Sequence, residues 1–274
     1  MLIKRLLNTA IAFTVMAMPC SSISKEAKKE FKPVYNYNEN GTSYNFDGEK
    51  LEYSLHWLFF HVANAESDVA KVTKNGTEYL RIQSKVRTAG IVGFFKDIRD
   101  TGYSLWDIKL KTPVKTFMSQ REGTYVKDKL FSYDLNNMTV TVVKQKPGHD
   151  PTTKEYKIPS IPFEDLMTGI YFFRKHGIFE VGAHTDFPVF TGKKFIMTHV
   201  KVLGKEKVEV PAGTFETYKC SLSSEVTPKG VFKMKGDVYM WLTTDESHLP
   251  VKISGDITIG SVSAELEKYR KGGR

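Results

Sequence analysis

The sequence predicts a mostly β protein: a large curled antiparallel sheet or half-open β-barrel of about a dozen strands, with one amphipathic helix over residues 163–176. Three observations predict it. Apolar and polar residues alternate with period 2 along most of the chain after Gly48. Turn signals separate the alternating runs, Asn75-Gly76 being the clearest. A single stretch, "PFEDLMTGIYFFRKHG", switches to helical spacing.

In the first run, Leu51, Tyr53, Leu55 and Trp57 alternate with Glu52, Ser54 and His56, the pattern of a half-buried strand. It runs on into Leu58-Phe59-Phe60, where apolar side chains must point to both faces. Strands follow at 62–73, 78–86, 100–108, 114–121, 126–133 and 139–145. A second series reads at 195–203, 207–210, 215–226, 231–242, 251–259 and 262–269. So many strands exceed what a flat open sheet carries, so the sheet must curl, split or close. Between the series lies the helix, with an apolar stripe of Phe163, Leu166, Met167, Ile170, Tyr171 and Phe173. Glu164 and Asp165 sit in its expected first turn, Lys175 and His176 in its last, and Gly177 follows. Phe172 falls on the otherwise polar face.

Residues 1–24 read as a secretory signal peptide: Lys4 and Arg5, an apolar run from Leu6 to Met18, then small residues before Lys25. That run is too short to cross a bilayer as an ordinary helix. A lipoprotein acylated on Cys20 is the lesser alternative, because Pro19 is a poor residue before an acylated cysteine. Residues 25–46 form a polar N-terminal arm, and 47–274 a single β-rich domain. The expected location is periplasmic or secreted. Cleavage leaves Cys220 as the remaining cysteine, so no internal disulfide supports the fold, and Cys220 reads as a packed core thiol.

The chain carries a formal charge of +9, mostly from lysines scattered along strands. They read as solvent-facing residues that protect sheet edges. No arginine-rich tract or recognised motif points to nucleic acid. His56 and His61 fall on opposite faces of a continuous strand, and neither H-E-x-x-H nor C-x-x-C occurs, so no metal or other cofactor is expected. G-x-S-x-G is absent, and Asp245 with His248 reads as turn chemistry. The balance is against an enzyme; a hydrolase with a dispersed site ranks third among the functional readings.

Paired aromatics are the unusual feature. Trp57, Phe59 and Phe60 at a strand end, Phe94 and Phe95 in "GIVGFFKD", and Phe172 on the helix are the candidate ligand-binding residues. An apolar loop tip is costly in water unless it folds back, gates a cavity or meets a membrane or partner.

Four stretches, "GEKLEYSLHW", "VEVPAGTFETYKC", "VYMWLTTDESHLPVKI" and "IGSVSAELEKY", resemble a family of secreted bacterial proteins designated domain of unknown function 3108. The resemblance runs across nearly all of residues 48 to 270. It implies a bacterial envelope location and a β-rich single domain, and it brings no catalytic residues. "MWLTTDESHLPVKI" is also similar to a strand-turn-strand element of periplasmic lipoprotein-carrier proteins, half-open barrels that hold acyl chains. The leading expectation is therefore a non-enzymatic envelope protein that binds a lipid or lipidated protein. Its apolar concavity should measure about 300 Å³ or more, and a structure without one would sink the reading, because an acyl chain could not be housed. The alternative is a structural or interaction protein of the envelope holding a protein partner, with peripheral membrane contact through the apolar loop.

Overall fold

The computed structural model describes residues 31–90, 97–224 and 237–273. The first strands are β1 (Lys50–Trp57), β2 (Phe60–Lys74), β3 (Thr77–Thr88) and β4 (Arg99–Asp107). Next come β5 (Thr112–Glu122), β6 (Tyr125–Asp134), β7 (Thr139–Gln145) and β8 (Thr152–Lys157). A two-residue strand, β9 (Glu164–Asp165), leads into α1 (Thr168–His176). The chain then returns through β10 (His184–Phe190), β11 (Phe195–Val210) and β12 (Gly213–Ser224). It ends with β13 (Val238–Thr243), β14 (Pro250–Asp256) and β15 (Ser261–Arg270).

These strands form one sheet in the order β8-β7-β6-β5-β4-β3-β2-β1-β15-β14-β13-β12-β11-β10-β9. Each neighbouring pair is antiparallel except the short β9–β10 contact. The chain is thus an up-and-down meander whose first and last strands pair, and the break falls in mid-sequence, between β8 and β9. The sheet is rolled. β5 and β9 lie eleven places apart in the order, which would be about 50 Å in a flat sheet. Yet Thr112 Oγ1 donates to the carbonyl of Phe163, beside β9, at 2.9 Å. Ser104 Oγ of β4 donates to Asp165 Oδ2 at 2.6 Å. Across the open seam the contact is made by rings: Phe190 of β10 meets Phe131, Tyr133 and Tyr156 at centroid distances of 6.2, 6.3 and 5.4 Å. The expected half-open barrel is the fold found.

α1 lies inside the roll, with Tyr171, Phe172, Phe173, Arg174 and His176 all buried. It starts at Thr168, five residues later than the spacing predicts. Glu164 and Asp165 pair with Val189 and Phe190 as β9 instead. Asp165 Oδ1 then accepts from the backbone N–H groups of Met167 and Thr168 at 2.7 and 2.8 Å, satisfying orphan donors of the first turn. The last turn is met by the N-terminal arm: Asn38 N donates to His176 O at 2.7 Å and Thr42 N to Lys175 O at 2.8 Å. The arm's Tyr37 and Phe46 pack on Phe172 and Tyr171. The described part of the arm is bound structure.

The Asn75-Gly76 hairpin is as expected, both residues having positive φ (51° and 77°) as a type I′ turn demands. Residues 195–203 and 207–210 merge into one strand, β11, with a register shift between Val202 and Gly204. β8 and β10 escape sequence reading for physical reasons. "TTKEYK" is a polar, exposed edge strand, and Pro188 sits in β10.

Candidate functional site

Between α1 and the inner face of the sheet lies a cavity of about 100 Å³. Leu55, Ala65, Val86, Ile253 and Ala264 line it from the strands, and Met167 and Ile170 from the start of the helix. It is a third of the expected volume. An apolar cavity of about 150 Å³ accepts benzene, so this one is too small to house the expected acyl chain and has room for no more than a short alkyl segment.

Its charged neighbour, Arg174, is already saturated. Nη1 and Nη2 donate to the two carboxylate oxygens of Glu49 at 2.7 and 2.6 Å, and both side chains have no exposure. Nε and Nη2 also donate to the carbonyls of Ser247 and His248 at 3.0 to 3.2 Å. Phe46 offers its ring face to the guanidinium at 4.7 Å. No strong donor is left to recruit an anion into the cavity from below.

Farther round the same inner face the sheet is basic. On β6, Lys127 and Lys129 share parity with buried Phe131 and Tyr133; on β7, Lys144 shares it with buried Val140 and Val142. These three lysines therefore face inward, which corrects their reading as solvent-facing residues. Burial, and then the neighbouring lysines, hold all three amines below the usual lysine range, with Lys129 pushed down to about 8. The alternation in "YVKDKLFSY" contained this signal.

The described aromatic candidates, Trp57, Phe59, Phe60 and Phe172, do not line the cavity. Trp57, Leu58, Phe59 and Phe60 form a tight hairpin between β1 and β2, with Leu58 at φ 54°. That turn explains why apolar residues seemed to need two faces. Phe59 and Phe60 are 80% and 53% exposed, and their rings meet at a centroid distance of 4.2 Å, tilted by 38°. Trp57 is half-buried and donates from Nε1 to Ile259 O at 2.9 Å. Phe172 is core, fully buried against Tyr37 and Phe187. It lines no groove, because α1 is surrounded by sheet and arm and has no free polar face there. Phe94 and Phe95 lie outside the described residues. The same hairpin makes His56 and His61 cross-strand neighbours, 5.5 Å between rings, where a continuous strand would have separated them. Among the described residues no group of three His, Cys, Asp or Glu side chains could hold a metal.

Two polar groupings resemble reactive sites and are occupied otherwise. Asp245 accepts from Thr243 Oγ1 and Ser247 Oγ at 2.6 and 2.7 Å, while His248 Nδ1 donates to Arg174 O at 2.9 Å and its ring stacks on Phe179. This is the turn that the sequence predicts. Glu164 and Asp165 are adjacent buried carboxyls, but Asp165 caps α1 and binds Ser104. Burial raises the Glu164 carboxyl well above its ordinary range, and its Oε1 accepts from Trp106 Nε1 at 3.3 Å. Cys220 is fully buried and its thiol is pushed up to about 12 by burial. Maleimide should modify it only after the fold is opened by denaturant; rapid labelling of native protein at pH 7.5 would contradict that placement.

A rolled antiparallel sheet wrapped on one internal helix, with an apolar hollow beside that helix, defines a half-open, barrel-like β scaffold. The chain belongs to the family of proteins of unknown function DUF3108, whose model matches residues 52–267. In structure it is similar to a β-barrel-like protein of the domain of unknown function DUF1849 from Brucella abortus. The TM-score is 0.55 at 10% identity, covering 84% of this chain and all of that one. It is more distantly similar to a candidate exported protein with a YmcC-like fold from Bacteroides fragilis, with TM-score 0.37 and 13% identity over 85% of this chain and all of that one. Among curated proteins, none matches the chain by sequence.

Proposed function

We propose that the protein is an exported, non-enzymatic envelope protein that binds the apolar end of an amphiphile inside its half-barrel. The observation that carries the reading is the cavity between α1 and the inner face, whose surface is mostly apolar. Such a hollow costs packing energy if left unfilled, roughly 24 cal/mol per Å³, so filling it with alkyl carbon is favourable. Its size limits the ligand to a short alkyl segment buried at one end. The leader-like residues 1–24 support export.

A second reading has its own observation. The exposed Phe59-Phe60 tip, flanked by exposed Leu58 and Ile259, suits contact with a membrane or an envelope protein. One experiment separates the two. Ala264→Leu should fill the cavity, keep or slightly raise the melting temperature, and abolish binding of dodecyl maltoside measured by calorimetry. Phe59→Ser with Phe60→Ser should leave that binding unchanged and lower co-sedimentation with liposomes. Undiminished detergent binding by Ala264→Leu sinks the cavity reading.

A further inference from the structure

We propose that Lys127, Lys129 and Lys144, on the inner face of β6 and β7, bind the phosphate head group of an anionic amphiphile. The proposal rests on the reading of the cavity as the site of the apolar end and adds the chemistry of the other end.

The first argument is placement. Lys129 and Lys144 are direct cross-strand partners, and like charges placed opposite one another destabilise a sheet. Lys127 lies two residues along on the same face. Lys154 of β8 follows on the next strand, opposite Val142. Lys193, in the turn from β10 to β11, adds to the same field from across the seam. The carboxylate that opposes this field at Lys129 is Asp100, and its Oδ1 already accepts from Arg121 N at 2.8 Å. Positive charge is therefore concentrated on a half-buried concave surface, where an anion would relieve both repulsion and desolvation.

The second argument is continuity with the cavity. On the inner face one cross-strand row runs Lys144, Lys129, Met118, Gly102, Ser84, Ser67. Ser84 and Ser67 line the cavity, as does Met167. The missing side chain at Gly102 is what admits Met167, whose Cε would lie 2.4 Å from a Cβ there. Lys129 is thus three strands from the cavity wall, about 14 Å along the sheet. Met118 and Met167 fill the row between the lysines and the cavity, so a molecule with a charged head and an alkyl tail would span it by displacing the flexible Met167 side chain. Arg174 cannot serve as the head-group ligand, because Glu49 and two carbonyls occupy it.

The depressed lysines agree with this arrangement. Burial and the neighbouring lysines are what depress these amines, and a bound phosphate would offset both.

The test is calorimetric titration of the purified protein with three probes below their micellar concentrations: dodecyl phosphate, dodecyl maltoside and inorganic phosphate. Dodecyl phosphate should bind at least about tenfold more tightly than the maltoside, a difference of about 1.4 kcal/mol. Lys129→Gln with Lys144→Gln should abolish that preference and leave maltoside binding intact. The variant should also melt higher than the parent, which shows that lost binding is not lost folding. Equal affinity for the two dodecyl probes, or an unchanged ratio in the variant, overturns the head-group site while the cavity reading stands. Lysine-dependent binding of inorganic phosphate as tight as that of dodecyl phosphate overturns the amphiphile and makes a free oxyanion the ligand. Failure of both dodecyl probes to bind overturns the cavity reading and this proposal together.

Discussion

Replacing Glu49 with Ala is expected to destabilise the protein by about 3–5 kcal/mol, the usual result of stripping one partner from a fully buried ion pair. Arg174 would keep its charge, since a guanidinium does not lose its proton in proteins. It would retain the carbonyls of Ser247 and His248 but lose two charge-assisted bonds of 2.7 and 2.6 Å. The pair also ties three remote pieces together: the start of β1, the end of α1 and the turn between β13 and β14. Loss of Glu49 should therefore loosen the closed end of the barrel as a unit. Glu49→Ala with Arg174→Met should recover most of the loss, because the uncompensated charge goes and the Met packs beside Phe46 and Tyr171. Urea unfolding of the single and double variants measures both. A single variant within about 0.5 kcal/mol of the parent, the range of ordinary surface substitutions, would mean that water reaches Arg174 in solution.

That ion pair also marks the limit of what the chain discloses by itself. Glu49 and Arg174 are separated by 125 residues, and no local pattern links them; only the rolled topology does. Strands were legible wherever one face was apolar, as at Leu80/Ile82 or Val140/Val142, because period 2 is imposed by the pleat itself. They were illegible where the sheet edge is polar on both faces, as in β8. The hairpin at Leu58-Phe59 was missed for a related reason: it lacks the Asn-Gly chemistry that announces such turns, and its apolar residues looked like more strand. Hiding the helix start was a capping rule met one turn late, with Asp165 serving as the cap and not as a first-turn residue. Of the site, the lysine face was present in the parity of "YVKDKLFSY". Parity says only which residues share a face. It became informative once Phe131 and Tyr133 were known to be buried.

Phe190→Ala should be comparably costly, about 3–5 kcal/mol for a buried phenylalanine, and its consequences should be local first. Phe190 is 1% exposed and touches Phe131, Tyr133, Tyr156 and Phe195, so one side chain joins β6, β8, β10 and β11 across the seam. Elsewhere neighbouring strands are joined by backbone ladders that no side-chain truncation removes. Here β8 is the last strand of the sheet, and the rings stand in for the ladder that would have closed the barrel. Hydrogen exchange should then show protection falling most in β6, β7 and β8, with β1, β14 and β15 affected only as global stability falls. Phe190→Leu, which keeps most of the volume, should cost much less. Equal loss of protection in every strand would mean that the barrel opens all at once and that the seam is no weaker than a ladder. The distinction matters for binding, because β6 and β7 carry Lys127, Lys129 and Lys144. A seam held by rings lets that basic face swing from the apolar interior without breaking a hydrogen-bonded sheet. In that case Phe190→Ala should also weaken dodecyl phosphate binding under conditions where the protein is still folded.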